Sequence, residues 1–217
     1  MRRRALLQRI AGASAIAAVG TASAHPGAEG SSGTDTGPSG TGIGPHAQLP
    51  MEEAREAVVG DDGTIAYVAT MTGFATVDVA DPHDPTILGE VDEIMADHED
   101  GPLGGIMDVK VESDRLLLVG PAQPRDGLKA AVLYDVADPS SPSLVGTHVV
   151  DYFLHNCYLQ DGVAYLPANG PTGNPLVTVE MDAESTELGR WSLFDHDDAW
   201  RDVPRQLRTL HDVWVQD

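Results

Sequence analysis

Residues Phe74–Gly89 read FATVDVADPHDPTILG, and residues Ala131–Gly146 read AVLYDVADPSSPSLVG. The two stretches agree in kind at nearly every position. A short apolar run ends in Asp78 or Asp135, an Asp-Pro-x-x-Pro segment follows, and a second apolar run ends in Gly89 or Gly146. The aspartates Asp81 and Asp138 are placed to cap a turn with their own carboxylates, and Pro82 and Pro139 preset φ for the next position. Pro85 and Pro142 lack an N–H and so belong where the next strand begins. A third copy, Leu176-Val177-Thr178-Val179-Glu180, runs into a turn without prolines and then into Leu188-Gly189.

Upstream of each copy lies a paired strand signal: VVGDDGTIAYVA, VKVESDRLLLVG and CYLQDGVAYLPA. No stretch after Met51 keeps a 3.6-residue apolar period over the length of a helix, so short strands joined by turns are predicted. Each unit then holds four strands, two before the turn, one running into it and one after it. A four-strand unit of about 50 residues, repeated along the chain, is the signature of a β-propeller blade.

A second repetition marks the inner strands. Leu154–Asp161 reads LHNCYLQD, and the last eight residues, Leu210–Asp217, read LHDVWVQD. The first is the innermost strand of a third blade and the second is the innermost strand of a fourth. The expected fold is therefore all-β: a partial propeller over 51–217, with blades at about 51–96, 103–153 and 154–195 and the start of the next at 208–217. A ring needs typically four to eight blades, so the chain reads as the N-terminal part of a longer propeller whose remaining blades lie downstream; the rival reading is a genuinely short, open arc.

In FATVD, AVLYD and LVTVE, with their turns, the chain resembles the LVIVD repeat. That family occurs in prokaryotic surface and secreted proteins and is understood as a β-propeller. The AHDVxV-like inner strand, the AYV-like second strand and the DxSDPxxP-like turn of that repeat all have counterparts over residues 52–217. The third turn departs in lacking both prolines, and the first two inner strands depart in lacking the His. The resemblance implies a propeller and assigns no chemistry.

The N-terminus reads as a targeting segment. Residues 1–24 start with Arg2, Arg3, Arg4 and Arg9, continue into an apolar run at Ile10–Gly20 and end in Ala22-Ser23-Ala24, an A-x-A cleavage pattern. The apolar run is shorter than the ~20 residues needed to span a bilayer. Arg3-Arg4-Ala5-Leu6-Leu7-Gln8 resembles the twin-arginine export signal, which implies a folded protein exported to the cell surface or the medium. Residues 25–50 are rich in Gly, Ser, Thr and Pro and read as a flexible linker.

The whole chain holds 13 Lys and Arg against 34 Asp and Glu, a formal net charge of −21. Such a surface repels nucleic acid, which is not an expected partner. Carboxylates spread at this density suit a surface adapted to molar salt, where charge repulsion is screened. Lys110 and Lys129 are the only lysines. Cys157 is the only cysteine, so no intramolecular disulfide forms, and its place in an apolar strand pattern reads as a small buried hydrophobe.

Three groups are candidate sites. His155 and His211 occupy equivalent inner-strand positions, where side chains of different blades converge on the central channel; Cys157 is expected on the same strand face as His155. Asp97, His98 and Asp100 precede the second inner strand, and Asp195, His196 and Asp198 precede the fourth. Carboxylates grouped this way suit a hard cation such as calcium, and added imidazole suits zinc or manganese. No cofactor is evident otherwise. The first functional reading is a binding or interaction module for a surface or extracellular ligand. The alternative is a metal-dependent hydrolase or lyase with its site at the channel mouth.

Overall fold

The computed structural model describes residues 45–170 and 173–216. The leader, with Arg3, Arg4, Ala22 and Ala24, and most of the following linker lie outside the described residues. The chain divides between Gln48 and Leu49, and the repeats all fall in the second unit, Leu49–Asp217.

That unit contains three four-stranded antiparallel sheets, each a meander in chain order. Blade 1 is β1 (Ala57–Val59), β2 (Ile65–Ala69), β3 (Phe74–Asp78) and β4 (Thr86–Val91). Blade 2 is β5 (Asp108–Glu112), β6 (Arg115–Gly120), β7 (Ala130–Asp135) and β8 (Ser143–Val149). Blade 3 is β9 (Tyr158–Gln160), β10 (Val163–Pro167), β11 (Leu176–Glu180) and β12 (Thr186–Trp191). These are the blades of a β-propeller, with the strand order and turn positions expected from the repeats.

The turns form as their residues dictate. Asp81 Oδ1 accepts the N–H of His83 at 2.9 Å and Asp138 Oδ1 that of Ser140 at 2.9 Å. The last residue of each preceding strand does the same one step earlier: Asp78 caps Ala80 and Asp135 caps Ala137. In the turn without prolines, Asp182 takes over, its Oδ1 accepting the N–H groups of Glu184 and Ser185. A carboxylate that accepts backbone N–H bonds makes the turn without help from proline.

All three blades share a bulge that a reading of alternation does not show. Gly89, Gly146 and Gly189 stand opposite Thr76, Leu133 and Thr178, and in each case the register then slips by one residue, leaving Leu88, Val145 and Leu188 unpaired. A bulge increases local twist, and the glycine beside it lets the next blade's turn approach. The Thr76 hydroxyl donates across to the Pro139 carbonyl at 2.5 Å.

Blades pack face to face. Tyr67, Ala69 and Phe74 of blade 1 meet Val109, Leu116, Leu118, Val132 and Tyr134 of blade 2, with Phe74 and Tyr134 edge to face at 5.0 Å. On the other side of blade 2, Leu117, Val119, Ala131 and Leu133 meet Cys157, Leu159, Ala164, Leu166, Val177 and Val179 of blade 3. Strand β6 is therefore buried on both faces, which explains its unbroken run Leu116-Leu117-Leu118-Val119. His148 lies in β8, with Nδ1 3.4 Å from Ser185 Oγ of blade 3. Burial there pushes its imidazole below the ordinary value.

Candidate functional site

The strand registers align the inner strands residue by residue. Ala57 pairs with Val68 in blade 1, Val109 pairs with Leu118 in blade 2, and Cys157 directly precedes the Tyr158–Tyr165 pair in blade 3. The residue ahead of each is Glu56, Asp108 or Asn156, and the repeated phrase at the end of the chain puts Asp212 in the same place. Four successive inner-strand segments thus present an acid or an amide at one position. They converge: Glu56, Asp108, Asn156 and Asp212 line a single cleft of about 370 Å³, together with Lys110, His155 and His211.

Asp108 is the most buried of these, at 3% exposure. Its Oδ2 accepts the N–H of Cys157 at 2.7 Å, tying blade 2 to blade 3, and its Oδ1 is ion-paired with Lys110. Burial alone would lower the Lys110 ammonium, but the Asp108 carboxylate beside it, helped by Glu56, holds it above its ordinary value. Glu56 is open to solvent on one side, yet partial desolvation in the cleft, then the like charges of Asp108 and Asp212, push its carboxyl up against the pull of Lys110. At the equivalent position in blade 3, the Asn156 Oδ1 is buried and accepts no hydrogen bond.

The two histidines singled out by sequence do meet. The rings of His155 and His211 lie 4.6 Å apart, tilted by 57°. One pair further on, Tyr158 and Trp214 lie 5.3 Å apart at 60°. Residues 209–216 run beside the blade 3 inner strand without forming a ladder, since an innermost strand pairs only with the second strand of its own blade. The segment is held instead by side chains: Asn169 Nδ2 donates to the Leu210 carbonyl at 2.7 Å and Asn174 Nδ2 to the Arg208 carbonyl at 3.1 Å. Just before it, the Arg201 and Arg208 guanidinium groups each lie 4.5 Å from the Phe194 ring. Trp214 is 73% exposed at the cleft rim. A smaller hollow of about 240 Å³ lies on the other side of the histidine pair, lined in part by Phe153, Asn169 and Arg205.

Cys157 does not share the face of His155. Residues 154–157 precede the ladder and bend at His155, so strand alternation does not apply there. The thiol is fully buried between blades 2 and 3, and burial, reinforced by Asp108, pushes it well above its ordinary value. A thiol so placed is not a nucleophile.

The acidic loop clusters are used locally. His98 Nδ1 accepts the N–H of Asp100 at 3.1 Å. Asp195 Oδ2 accepts the N–H of Ser192 at 2.7 Å, closing a capping box on the single helical turn Leu193–His196. Asp197 caps Ala199, and Asp198 pairs with Arg201 at 3.0 Å. Among the described residues no group of three or more His, Cys, Asp and Glu side chains is arranged to hold a metal ion. The structure therefore does not bring Asp97, His98 and Asp100, or Asp195, His196 and Asp198, together as ligand sets.

Glu56, Asp108 and Lys110 were not legible as site residues. One signal pointed to Lys110: it is one of two lysines in a chain with 34 acids.

With three blades of four strands, the chain is a β-propeller repeat protein. The LVIVD repeat matches residues 62–93, which cover β2–β4, and residues 131–149, which span β8 and nearly all of β7. Comparison with curated proteins gives no match. Among solved structures the chain is similar to the N-terminal domain of Nup159, at 8% identity and a TM-score of 0.38 over 72% of this chain and 37% of that one. It is also similar to a chain in a complex of S. cerevisiae Dbp5 with Nup159, Gle1, IP6 and ADP, at 9% identity and a TM-score of 0.36 over 67% of this chain and 34% of that one. The chain spans about a third of the length of each. No helix among the described residues is long and apolar enough to cross a membrane.

Proposed function

We propose that this protein is an exported cell-surface or secreted propeller module that binds a small polar ligand at its axial cleft. One observation carries the reading: Glu56, Asp108, Asn156 and Asp212, which are equivalent on successive inner strands, line one cleft with Lys110 and the histidine pair. Polar groups converging in a concave site are what a binding site requires, and propellers gather such groups where their inner strands meet. The twin-arginine-like leader supports export, and the charge of −21 supports a life in high salt.

The test is a thermal-shift panel of small organic cations, anions and neutral sugars, run on the wild type and on Trp214→Ala. A ligand that binds only the folded state raises the melting midpoint. The reading expects at least one compound class to stabilise the wild type and to lose that effect in Trp214→Ala. No stabilisation by any class, or stabilisation indifferent to the cleft variant, contradicts it.

A further inference from the structure

We propose that His148 is a pH-sensitive latch on the outer rim of the contact between blades 2 and 3: its neutral ring holds the Asp182–Ser185 turn of blade 3 against β8, and protonation in a mildly acidic medium releases that turn. The latch lies away from the axial cleft and does not depend on any ligand there.

Placement is the first argument. β8 pairs His148 with Ala131, as β4 pairs Val91 with Phe74 and β12 pairs Trp191 with Leu176. One repeat position thus carries valine in blade 1, tryptophan in blade 3 and an imidazole in blade 2. The contact between blades 1 and 2 is fastened by the Thr76 hydroxyl, which donates to the Pro139 carbonyl. Blade 2 has Leu133 at the position of Thr76, and leucine has no proton to donate. Its fastening comes from the other side: Ser185 Oγ of blade 3 donates to the Thr147 carbonyl at 2.8 Å.

Hydrogen-bond accounting then sets the role of the ring. A hydroxyl has one proton to give, and Ser185 gives it to Thr147. His148 Nδ1, 3.4 Å from Ser185 Oγ, meets that oxygen only as a donor. The latched neutral ring is therefore the Nδ1–H tautomer.

The surroundings disfavour a charge on this ring. Glu187 of β12 attracts it and Arg190 of the same strand repels it. Glu187 is already engaged, accepting from Arg190 Nε at 2.8 Å and from Nη2 at 2.5 Å. Asp151 and Tyr152, which follow β8, act on Arg190. Lys129, just ahead of β7, has its ammonium 5.5 Å from the Phe153 ring. Within the turn, Asp182 Oδ1 accepts the N–H groups of Glu184 and Ser185. Burial outweighs the pull of Glu187 and holds the imidazole below its ordinary value of 6.5. A group lowered in this way stabilises the latched form while neutral, and that contribution is lost as pH falls below the ordinary value. The inner edge of the same contact is tied by carboxylates: Asp108 accepts the N–H of Cys157, and Glu112 Oε1 accepts that of Asp161 at 2.8 Å. Carboxylates ordinarily titrate at lower pH than imidazole, so the outer rim yields first.

The test is amide hydrogen exchange on the full chain at constant ionic strength, at about pH 7.5 and about pH 5.5, the two sides of the histidine range. The probes are the Glu184 and Ser185 N–H groups, corrected for the intrinsic pH dependence of exchange. In the wild type, local opening of the turn should rise about threefold or more at the lower pH, near the low end of what one hydrogen bond contributes. His148→Asn keeps a neutral donor and should hold the turn at both pH values. His148→Lys carries a fixed charge and should leave the turn open at both. The Ser140 N–H, in the turn held by Thr76, should show no such rise. Equal opening of the wild-type turn at the two pH values overturns the proposal. So does a pH dependence that persists in His148→Asn, or an equal rise at Ser140, which would mean general loosening. Ring nitrogen shifts that place the neutral His148 proton on Nε2 also overturn it.

Discussion

Gly146 of blade 2 sits against blade 3 so closely that a Cβ added to it would stand 1.9 Å from the carbonyl oxygen of Asp182. The equivalent Gly89 faces the Pro139 carbonyl of the next blade at 3.0 Å, and Gly189 meets nothing nearer than the Thr178 hydroxyl at 3.9 Å. One repeat position therefore carries three different packing loads. Alanine at Gly146 should destabilise by about 3 kcal/mol, because the obstacle is backbone that cannot rotate away. Alanine at Gly89 should cost about 1 kcal/mol and alanine at Gly189 close to nothing. Denaturant midpoints for the three variants check the order, and equal losses at all three positions would contradict the blade-to-blade contact.

Asp108 both caps a backbone N–H of the next blade and neutralises Lys110. Asp108→Ala should cost about 3 kcal/mol, since it strands a buried donor and a half-buried cation together. Asp108→Asn retains an acceptor and should cost less. Adding Lys110→Met to Asp108→Asn should recover part of the loss, because the stranded charge is gone. Urea unfolding of the single and double variants measures the coupling, and strict additivity would deny the ion pair a role.

The hydroxyl of Tyr152 is buried without a hydrogen-bond partner, and burial pushes it up to about 12. Removing an unpaired buried hydroxyl relieves a desolvation cost, so Tyr152→Phe should be neutral or stabilising by up to about 1 kcal/mol. A melt of the variant decides this. A loss of stability would reveal a partner for the hydroxyl.

A chain with a formal charge of −21 repels itself, and salt screens that repulsion. The melting midpoint should fall steadily as salt is reduced from molar to low concentration. A midpoint independent of salt would remove the salt-adapted reading.

The fold was legible because turn chemistry recurs. Asp81, Pro82 and Pro85, and again Asp138, Pro139 and Pro142, mark the same corner of two blades. The third blade was found from Leu176–Glu180 and Leu188-Gly189 even though its turn relies on Asp182 alone. The bulges were not legible, since an alternating pattern looks the same until Leu88, Val145 and Leu188 are seen to lack partners. The site was legible in part. The repeated Leu-His phrase paired His155 with His211, and their rings do meet. The extension to Glu56 and Asp108 was hidden, because the first two inner strands lack the histidine and the first is followed by a longer turn, Gly60 to Thr64, that obscures the alignment. The acidic loop clusters follow the density of carboxylates in the whole chain. Within them His98 and Asp195 accept nearby backbone N–H groups and Asp198 pairs with Arg201.

The first inner strand and the last described residues of the chain face one another across a single cleft. Glu56 reports on this directly. Its carboxyl is raised by desolvation and by the charges of Asp108 and Asp212. Folding therefore favours its proton-bound form, and its contribution to stability is lost as pH rises through its titration range. The measurement is an NMR pH titration of the Glu56 side-chain carboxyl in the wild type and in Asp212→Asn. A midpoint above the ordinary value of 4.5 is expected in the wild type, with a downward move when the Asp212 charge is removed. A Glu56 midpoint at its ordinary value, or one unmoved by Asp212→Asn, would contradict it.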